Sequence, residues 1–413
     1  RQVVAGLRET MAPWEESEKK VDAEIARVKA EFKDKKTGPG IPKTQADLDK
    51  LVGELNAKRL PNPGRIAWVA DLSAKPPEVP LLLRGNYSTP GPKVDAGVPA
   101  VLSDPDNPFE PKAPFEGAPS TGRRSALARW LTKPGSRPAA LLSRVLANRI
   151  WQDHFGVGLV ATSENLGYTG SPPSHPDLLE YLADRLVRAG WSAKALHREV
   201  LRSTAYRQTS APRDDTLTID PDNRDLARFP LRRLDAEQIR DAMLFASGEL
   251  DDRPGGPYVP TPRASSGEVA VDESAPGARR RAIYLQQRRT QVTSMLEVFD
   301  APSIVTACAR RVPATIPLQS LSLLNSDFAV RRARNLVERV DREAGGSPES
   351  FVDRAFVLTV ARDPRPDERA AAVRFLAHQP GNYSDRDAAE AKRQARADFC
   401  QMLLASNAFL YVE

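Results

Sequence analysis

The sequence predicts a mainly α-helical protein, a multi-helix globular domain with a small β element and long proline-rich connectors. Three observations lead to this prediction. Apolar residues recur three and four positions apart over much of the chain, which places them on one face of a helix. Several of these stretches begin with helix-capping signals. The 36 prolines and the 28% of charged residues dilute the apolar content, so irregular segments should separate the helices.

Residues 1–60 have the pattern of a coiled-coil-like helical hairpin. Charged residues separate the members of an apolar stripe with spacings of four, three and four, namely Val21, Ile25, Val28 and Phe32. A glycine- and proline-rich break follows. Thr44 with Asp47 then matches a capping box, which predicts the start of the second helix.

Residues 61–120 are predicted to form an irregular connector with short strands. Residues 66–69 and 79–83 are the strand candidates, and the rest is rich in proline, glycine and aspartate. Further along the chain, residues 281–289 alternate weakly between apolar and polar. They are the best additional strand, and we expect them to pair with residues 81–83.

Residues 121–413 are predicted to form one mainly α-helical domain. Ser174 with Asp177 and Asp235 with Gln238 both match capping boxes. The helix after the first of these has a buried stripe formed by Leu178, Leu179, Leu182 and Leu186. The loop before Leu178 is expected to face outward as a contact surface.

Composition limits the classes of function. The net charge is +6, but only 6% of residues are aromatic and there is no groove-binding motif, so nucleic acid is not an expected partner. No apolar run approaches the roughly 20 residues of a membrane helix, so no membrane span is expected in this chain. The chain begins at Arg1 without an initiator methionine, and we expect it to be a piece of a longer protein.

The two cysteines, Cys308 and Cys400, are too few for a zinc site without histidine ligands, and neither lies in a Cys-x-x-Cys or haem-attachment motif. We therefore expect no cofactor in this chain. Both cysteines lie among apolar residues, which favours buried free thiols. A single long-range disulfide is the alternative if the protein is exported.

No catalytic motif is present, and the candidate site residues are His154, His175, Asp177, Arg233, Asp235 and Asp241. Each has an ordinary structural alternative. An imidazolium near a helix end, as expected for His154, is stabilised by the helix dipole. His175 could make only a local loop contact, and capping alone explains Asp235. A metal site would need histidines to converge with Glu164 or Asp177, and nothing in their spacing requires this, so no metal is expected.

Several sequence blocks, in this order, resemble the planctomycete-type secreted domain of unknown function. They include SALARWLT within 124–132, PPSHPDLL at 172–179, RRLDA at 232–236 and FDAP at 299–302, with further blocks at 148–156, 190–192, 204–208, 220–224, 315–319, 323–325 and 407–411. The resemblance covers about residues 120–413. It implies the C-terminal domain of exported proteins that often carry cytochrome-c modules upstream. It also implies export to the periplasm or cell surface, with haem on those other domains or on partner proteins. It supplies no established catalytic residues, but it draws attention to His154, His175 and residues 232–235.

Two functional hypotheses follow. The first is a binding or scaffolding module of a periplasmic or cell-surface complex with protein partners, cytochrome-c-type modules among them. The second is an exported enzyme, a hydrolase or oxidoreductase acting on complex carbohydrate. The enzyme hypothesis predicts a pocket between residues 148–177 and the helix that carries Asp235 and Asp241, with His154 or His175 beside aspartate or arginine side chains.

Overall fold

The computed structural model describes residues 2–34, 41–42, 44–59, 77–113, 115–118 and 120–412, and it confirms a mainly α-helical fold. In its first half the helices are α1 (Gln2–Lys33), α2 (Gln45–Ala57), α3 (Arg123–Thr132), α4 (Arg137–Phe155), α5 (Pro176–Arg188), α6 (Ala193–Arg202), α7 (Thr204–Arg207) and α8 (Asp214–Ile219). They continue with α9 (Ala236–Ala246), α10 (Ser294–Val298), α11 (Pro317–Asn325), α12 (Asp327–Ala344), α13 (Pro348–Val360), α14 (Pro366–His378), α15 (Ala388–Leu404) and α16 (Asn407–Leu410). The strands are β1 (Pro80–Leu82), β2 (Pro90–Lys93), β3 (Arg232–Arg233) and β4 (Tyr411–Val412).

The chain divides into two compact units, and the first contains α1, α2 and residues 253–258. The helices α1 and α2 form the predicted hairpin. Its core consists of Val21, Val28, Leu48 and Leu55, with Ile25 and Phe32 packed against them. The predicted capping box of Thr44 and Asp47 is confirmed at the start of α2. The apolar stripe read from the sequence is therefore the face that α1 buries against α2.

The second unit contains the remaining described residues and has two hydrophobic cores. One lies among α4, α5 and α6 and includes Trp151, Phe155 and Leu182. The other is built from helices between α9 and α16 and includes Leu336 and Phe351, which are fully buried. The β3–β4 ribbon contacts both cores, because Val412 packs against the first and Tyr411 against the second.

The small β element consists of two antiparallel pairs, β1 with β2 and β3 with β4. The expected strand at 281–289 and its pairing with 81–83 are wrong. Residues Ala282–Tyr284 form a 3-10 turn, which is held by a hydrogen bond of 2.7 Å from the Ala282 backbone N–H to the Asp241 carboxylate on α9. The proposed strand at 66–69 lies outside the described residues.

The capping prediction for α5 is also wrong. The helix begins at Pro176 with His175 as its N-cap, and no side chain caps it. The ring of Pro176 fixes its backbone in the conformation of a first helical residue, so the helix starts there and not after Ser174. The loop before α5 is mixed in exposure: Tyr168 is fully exposed, whereas Leu159 and Val160 are buried.

The capping box of Asp235 and Gln238 at the start of α9 is confirmed. No disulfide joins the cysteines: Cys400, on the inner face of α15, is fully buried in the core, and Cys308 is exposed. Burial raises the pKa of the Cys400 thiol. Among the described residues, no helix combines the length and apolar character needed to span a bilayer.

We predict that Leu336→Ala lowers the free energy of unfolding by about 2–5 kcal/mol, because it removes a fully buried side chain of α12 and leaves a cavity. Urea unfolding followed by far-UV circular dichroism measures this. The control is Leu201→Ala on α6, which is 42% exposed and should cost less than half as much. If both substitutions lower the free energy of unfolding equally, Leu336 does not lie in the core.

Candidate active site or ligand cleft

A cleft of about 510 Å³ lies in the second unit, where three segments meet. The first is the end of α4 with the turn after it, residues 152–153 and 155–157. The second is residues 230–235, which include β3, together with Gln238 of α9. The third belongs to the loop between α10 and α11, residues 299–300, 308–311 and Pro313. The lining includes four arginines and three aspartates, and most of the polar chemistry of the cleft comes from them.

The β3–β4 ribbon positions two of these arginines. Arg232 pairs with Val412 and Arg233 with Tyr411, and the Leu234 backbone N–H donates to the Leu410 carbonyl at 2.8 Å. Successive side chains of a strand point to opposite faces. Accordingly, Arg232 reaches α4, and Arg233 reaches the α10–α11 loop and α11.

Arg233 is the most deeply buried charged group of the cleft, with 6% of its side chain exposed. It donates to the Asp300 carboxylate at 2.6 Å, to the Gln319 side-chain oxygen at 3.0 Å and to the Ala314 carbonyl. Its guanidinium also lies 5.8 Å from the centre of the Phe299 ring. Arg233 therefore fixes the α10–α11 loop and α11 against β3.

The backbone of Asp300, the carboxylate partner of Arg233, has a φ of +65°. Aspartate tolerates this left-handed conformation better than most residues. Its carboxylate accepts from the Ala314 N–H at 2.8 Å and from Gln319 Nε2 at 3.3 Å. Burial raises the pKa of Asp300, but the hydrogen bonds from Ala314, Arg233 and Gln319 outweigh it and hold the pKa below its usual value. Asp300 is thus the anionic partner of the buried guanidinium.

Arg311 has its own carboxylate partner. Two of its nitrogens donate to Glu237 on α9, at 2.6 and 3.1 Å, and Asp235 lies 3.9 Å away. Burial raises the pKa of Glu237, yet the hydrogen bonds from Arg311 and from the Glu237 backbone hold it below the ordinary value. The hydrogen bond to Glu237 also raises the pKa of Arg311, against the opposing effect of burial. Arg311 therefore fastens the loop to α9.

Arg232 and Arg310 differ from these two arginines. Arg232 donates to the Asp153 backbone carbonyl, and its side chain lies close to Gly156, where an added Cβ would come within 3.4 Å of Arg232 Cδ. Arg310 is exposed. Within the described part of the chain, neither guanidinium has a carboxylate at ion-pair distance. Two positive groups of the cleft therefore carry charge that no ion pair among the described residues neutralises.

Asp153 and His154 lie at the end of α4. Partial burial raises the pKa of Asp153, and the charges of Arg232 and His197 oppose that rise. His154 does not line the cleft. Its Nε2 is hydrogen-bonded to His197 Nδ1 at 2.8 Å, and its ring packs edge-on against Tyr206. Burial lowers the pKa of His154 most, and the charges of the nearby His197 and Arg232 lower it further.

Of the six residues singled out from the sequence, Arg233 and Asp235 line the cleft and His154 lies next to it, one residue from the lining Asp153. The other three lie elsewhere. His175 contacts the Ser174 hydroxyl at 3.0 Å, and Asp177 is exposed in the first turn of α5. Asp241 faces the 3-10 turn, where it accepts from Ala282 and lies 3.6 Å from Arg281.

Sequence reasoning missed Asp153, Asp300, Arg310 and Arg311. Two arginine doublets, 232–233 and 310–311, were the available signal, because adjacent arginines outside a helix have no intrahelical carboxylate partners. No group of three or more histidine, cysteine or acidic side chains in the described residues is arranged to hold a metal ion.

A family model described as "Protein of unknown function (DUF1553)" matches residues 123–376. This stretch is more than half of the chain and contains all of the cleft-lining residues. No match was found among curated proteins or among solved structures.

We predict that Asp300→Asn lowers the free energy of unfolding by about 3 kcal/mol at pH 7, because it leaves the buried Arg233 without its counter-charge. Because the folded-state pKa of Asp300 is lowered, its contribution is present above the unfolded value of about 3.9 and is lost as the pH falls below it. The difference between wild type and variant should therefore shrink from pH 7 to pH 3 in urea unfolding. Asp385→Asn, an exposed control, should show no such dependence. If the difference in unfolding free energy between wild type and Asp300→Asn stays constant from pH 7 to pH 3, Asp300 is not the charged partner of Arg233.

Proposed function

Because this chain belongs to the DUF1553 family, whose function is unknown, we propose a function from its cleft: the domain is a binding module that holds the acid groups of an anionic saccharide. The supporting observation is that two of the four arginines in the cleft have carboxylate partners and two do not. Arg233 and Arg311 are engaged by Asp300 and Glu237. Arg232 and Arg310 line the same cleft without carboxylate partners among the described residues.

Guanidinium groups suit this role for a geometric reason. A planar guanidinium donates two parallel hydrogen bonds to a carboxylate or sulfate, and such charge-assisted bonds are stronger than neutral ones. The bonds to Asp300 and Glu237 fix the walls of the cleft before a ligand arrives. The loss of conformational entropy on binding is then smaller than for a flexible loop.

The size and charge of the cleft support a ligand of one or two sugar units. Its volume of about 510 Å³ falls within the usual range for small-molecule sites. The protein carries a net charge of +6, which attracts anions from distances greater than the width of the cleft. A carboxylated or sulfated saccharide combines the required charge with hydroxyl groups for Asp153 and Asp235.

We place this module in an exported assembly, at the periplasm or cell surface, with cytochrome-c-type modules among its protein partners. The support is the resemblance of blocks such as 172–179 and 232–236 to secreted domains of that organisation. In that setting the module would hold an acidic polymer beside domains that act on it, and any haem would belong to those other domains.

One observation favours the alternative, an exported enzyme that acts on complex carbohydrate. Asp153 lines the cleft with a raised pKa, which suits a carboxyl group that donates a proton. Asp235, also in the lining, supplies a second carboxyl. Glycoside hydrolases use a pair of carboxyl groups to cleave glycosidic bonds. The two functions differ in whether the saccharide is released unchanged.

We predict that Arg232→Ala/Arg310→Ala weakens binding of an acidic oligosaccharide by about tenfold or more, because both unpaired guanidinium groups are removed. Isothermal titration calorimetry with an oligogalacturonide, which carries only carboxylates, a κ-carrageenan oligosaccharide, which carries only sulfates, and neutral cellohexaose measures this and separates carboxylate from sulfate recognition. Wild type should bind at least one of the acidic probes and bind cellohexaose far more weakly.

The matched control is Arg334→Ala, which removes an exposed arginine of α12 outside the cleft. It should bind like wild type. Retention of full affinity by the double variant, or equal affinity of wild type for acidic and neutral probes, would refute the proposal. If the acidic probe is cleaved during incubation and Asp153→Asn abolishes that cleavage, the enzyme alternative replaces the binding module.

A further inference from the structure

Two of the four histidines of the chain meet next to the cleft. The Nε2 atom of His154, in the last turn of α4, lies 2.8 Å from the Nδ1 atom of His197 on α6. Both side chains are half-buried, and Tyr206 of α7 packs edge-on against His154 with the ring centres 5.5 Å apart. The proposed function makes no use of this histidine pair.

The hydrogen bond limits the number of protons that the pair can hold. A neutral imidazole has one N–H donor and one acceptor nitrogen, whereas a protonated imidazole has two donors and no acceptor. The two facing nitrogens therefore share one proton, and the bond requires one ring to stay neutral. The pair can take up a single further proton and keep its hydrogen bond, which is then charge-assisted and stronger. With a second proton, two N–H groups would face each other.

The surroundings of the pair contain one cation that also belongs to the cleft. The charged and titratable groups on the elements around the pair are Asp153 on α4, Lys194 and Arg198 on α6, Tyr206 on α7 and Arg232 on β3. Lys194 and Arg198 are exposed, so solvent screens their charges. Arg232 is half-buried and lines the cleft.

Arg232 connects the pair to the ligand. Its guanidinium donates to the backbone carbonyl of Asp153, the residue directly before His154. Burial opposes protonation of His154 most, and the positive charge of Arg232 adds to that opposition. Among the described residues, no carboxylate lies at ion-pair distance to neutralise this charge. An anion bound to Arg232 would do so, and protonation of the pair would then become easier.

We propose that the histidine pair links proton uptake to anion binding in the cleft: an anion that binds Arg232 draws one proton from solvent onto the two imidazoles. Because such coupling is reciprocal, the proton strengthens anion binding by the same factor. The inference rests on the proposed function, since the anion is the acid group of the saccharide. The cleft therefore holds an acidic saccharide more tightly as the pH falls.

Calorimetric titration with the oligogalacturonide and the κ-carrageenan oligosaccharide tests the link, because both probes stay ionised above about pH 5. Wild type should bind at least one of them about fivefold more tightly at about pH 5.5 than at about pH 8. Titrations in buffers of different ionisation enthalpy should show uptake of no more than a single proton. Binding that is equally tight at both pH values overturns the inference and leaves the proposed function standing.

The matched variant is His154→Gln/His197→Asn, which places amide groups near the positions of Nε2 and Nδ1 and can keep a hydrogen bond that does not titrate. It should lose both the pH dependence and the proton uptake, whereas His378→Gln, at an exposed histidine of α14, should keep them. Circular dichroism establishes that both variants are folded. If the double variant keeps the wild-type pH dependence and Asp153→Asn loses it, the titrating group is Asp153 and the inference is wrong.

A second measurement needs no saccharide. An NMR titration of the imidazole C–H signals gives the pKa of His154 in the free protein. Arg232→Ala should raise this pKa because a nearby positive charge is removed, and Arg232→Lys, which keeps the charge, should raise it less. An unchanged pKa in Arg232→Ala overturns the coupling. If the pKa rises but no acidic probe binds, the proposed ligand is wrong and the coupling between Arg232 and the pair stands.

Discussion

Arg233 carries a positive charge that is almost fully withdrawn from water, and Asp300 lies 2.6 Å from its guanidinium. An unpaired charge at such a position costs several kcal/mol, so the fold depends on keeping the two together. Their contact joins β3 to the α10–α11 loop, and Gln319 adds α11 to the same network. Because β4 pairs with β3, the C-terminal residues are also tied to it. The cleft is therefore held by a short ribbon and one buried ion pair, and its walls do not rely on loop packing alone.

This arrangement explains why neighbouring arginines have different roles. In each doublet one member is fixed by a carboxylate, Arg233 by Asp300 and Arg311 by Glu237. The other member, Arg232 or Arg310, lines the cleft without a carboxylate partner among the described residues. The ion pairs of Arg233 and Arg311 hold β3 and the α10–α11 loop in place, and Arg232 and Arg310 extend from these same segments. Sequence blocks that lie far apart in the chain meet here, among them residues 148–156, 232–236 and 299–302.

The sequence predicted the local features well. The hairpin stripe of Val21 and Val28 and the capping boxes of Thr44 and Asp235 depend on residues three or four positions apart, and all are present. Two of the expectations were wrong. Pro176 moved the start of α5, and the Asp241 carboxylate turned residues 282–284 into a 3-10 turn where a strand was expected. The hydrogen bond from Ala282 to Asp241 joins residues that are 41 positions apart, so the local sequence pattern does not indicate it.

The ion pairs within the cleft were beyond prediction for the same reason. Arg233 and Asp300 are 67 residues apart, Glu237 and Arg311 are 74 apart, and no short-range spacing relates them. The most direct test is a crystal structure of the protein with an acidic disaccharide bound. The acid group should lie within about 3 Å of the guanidinium nitrogens of Arg232 and Arg310, with Arg233 still paired to Asp300. An empty cleft in crystals that hold the disaccharide elsewhere, or a ligand bound through its neutral hydroxyls alone, would contradict this account.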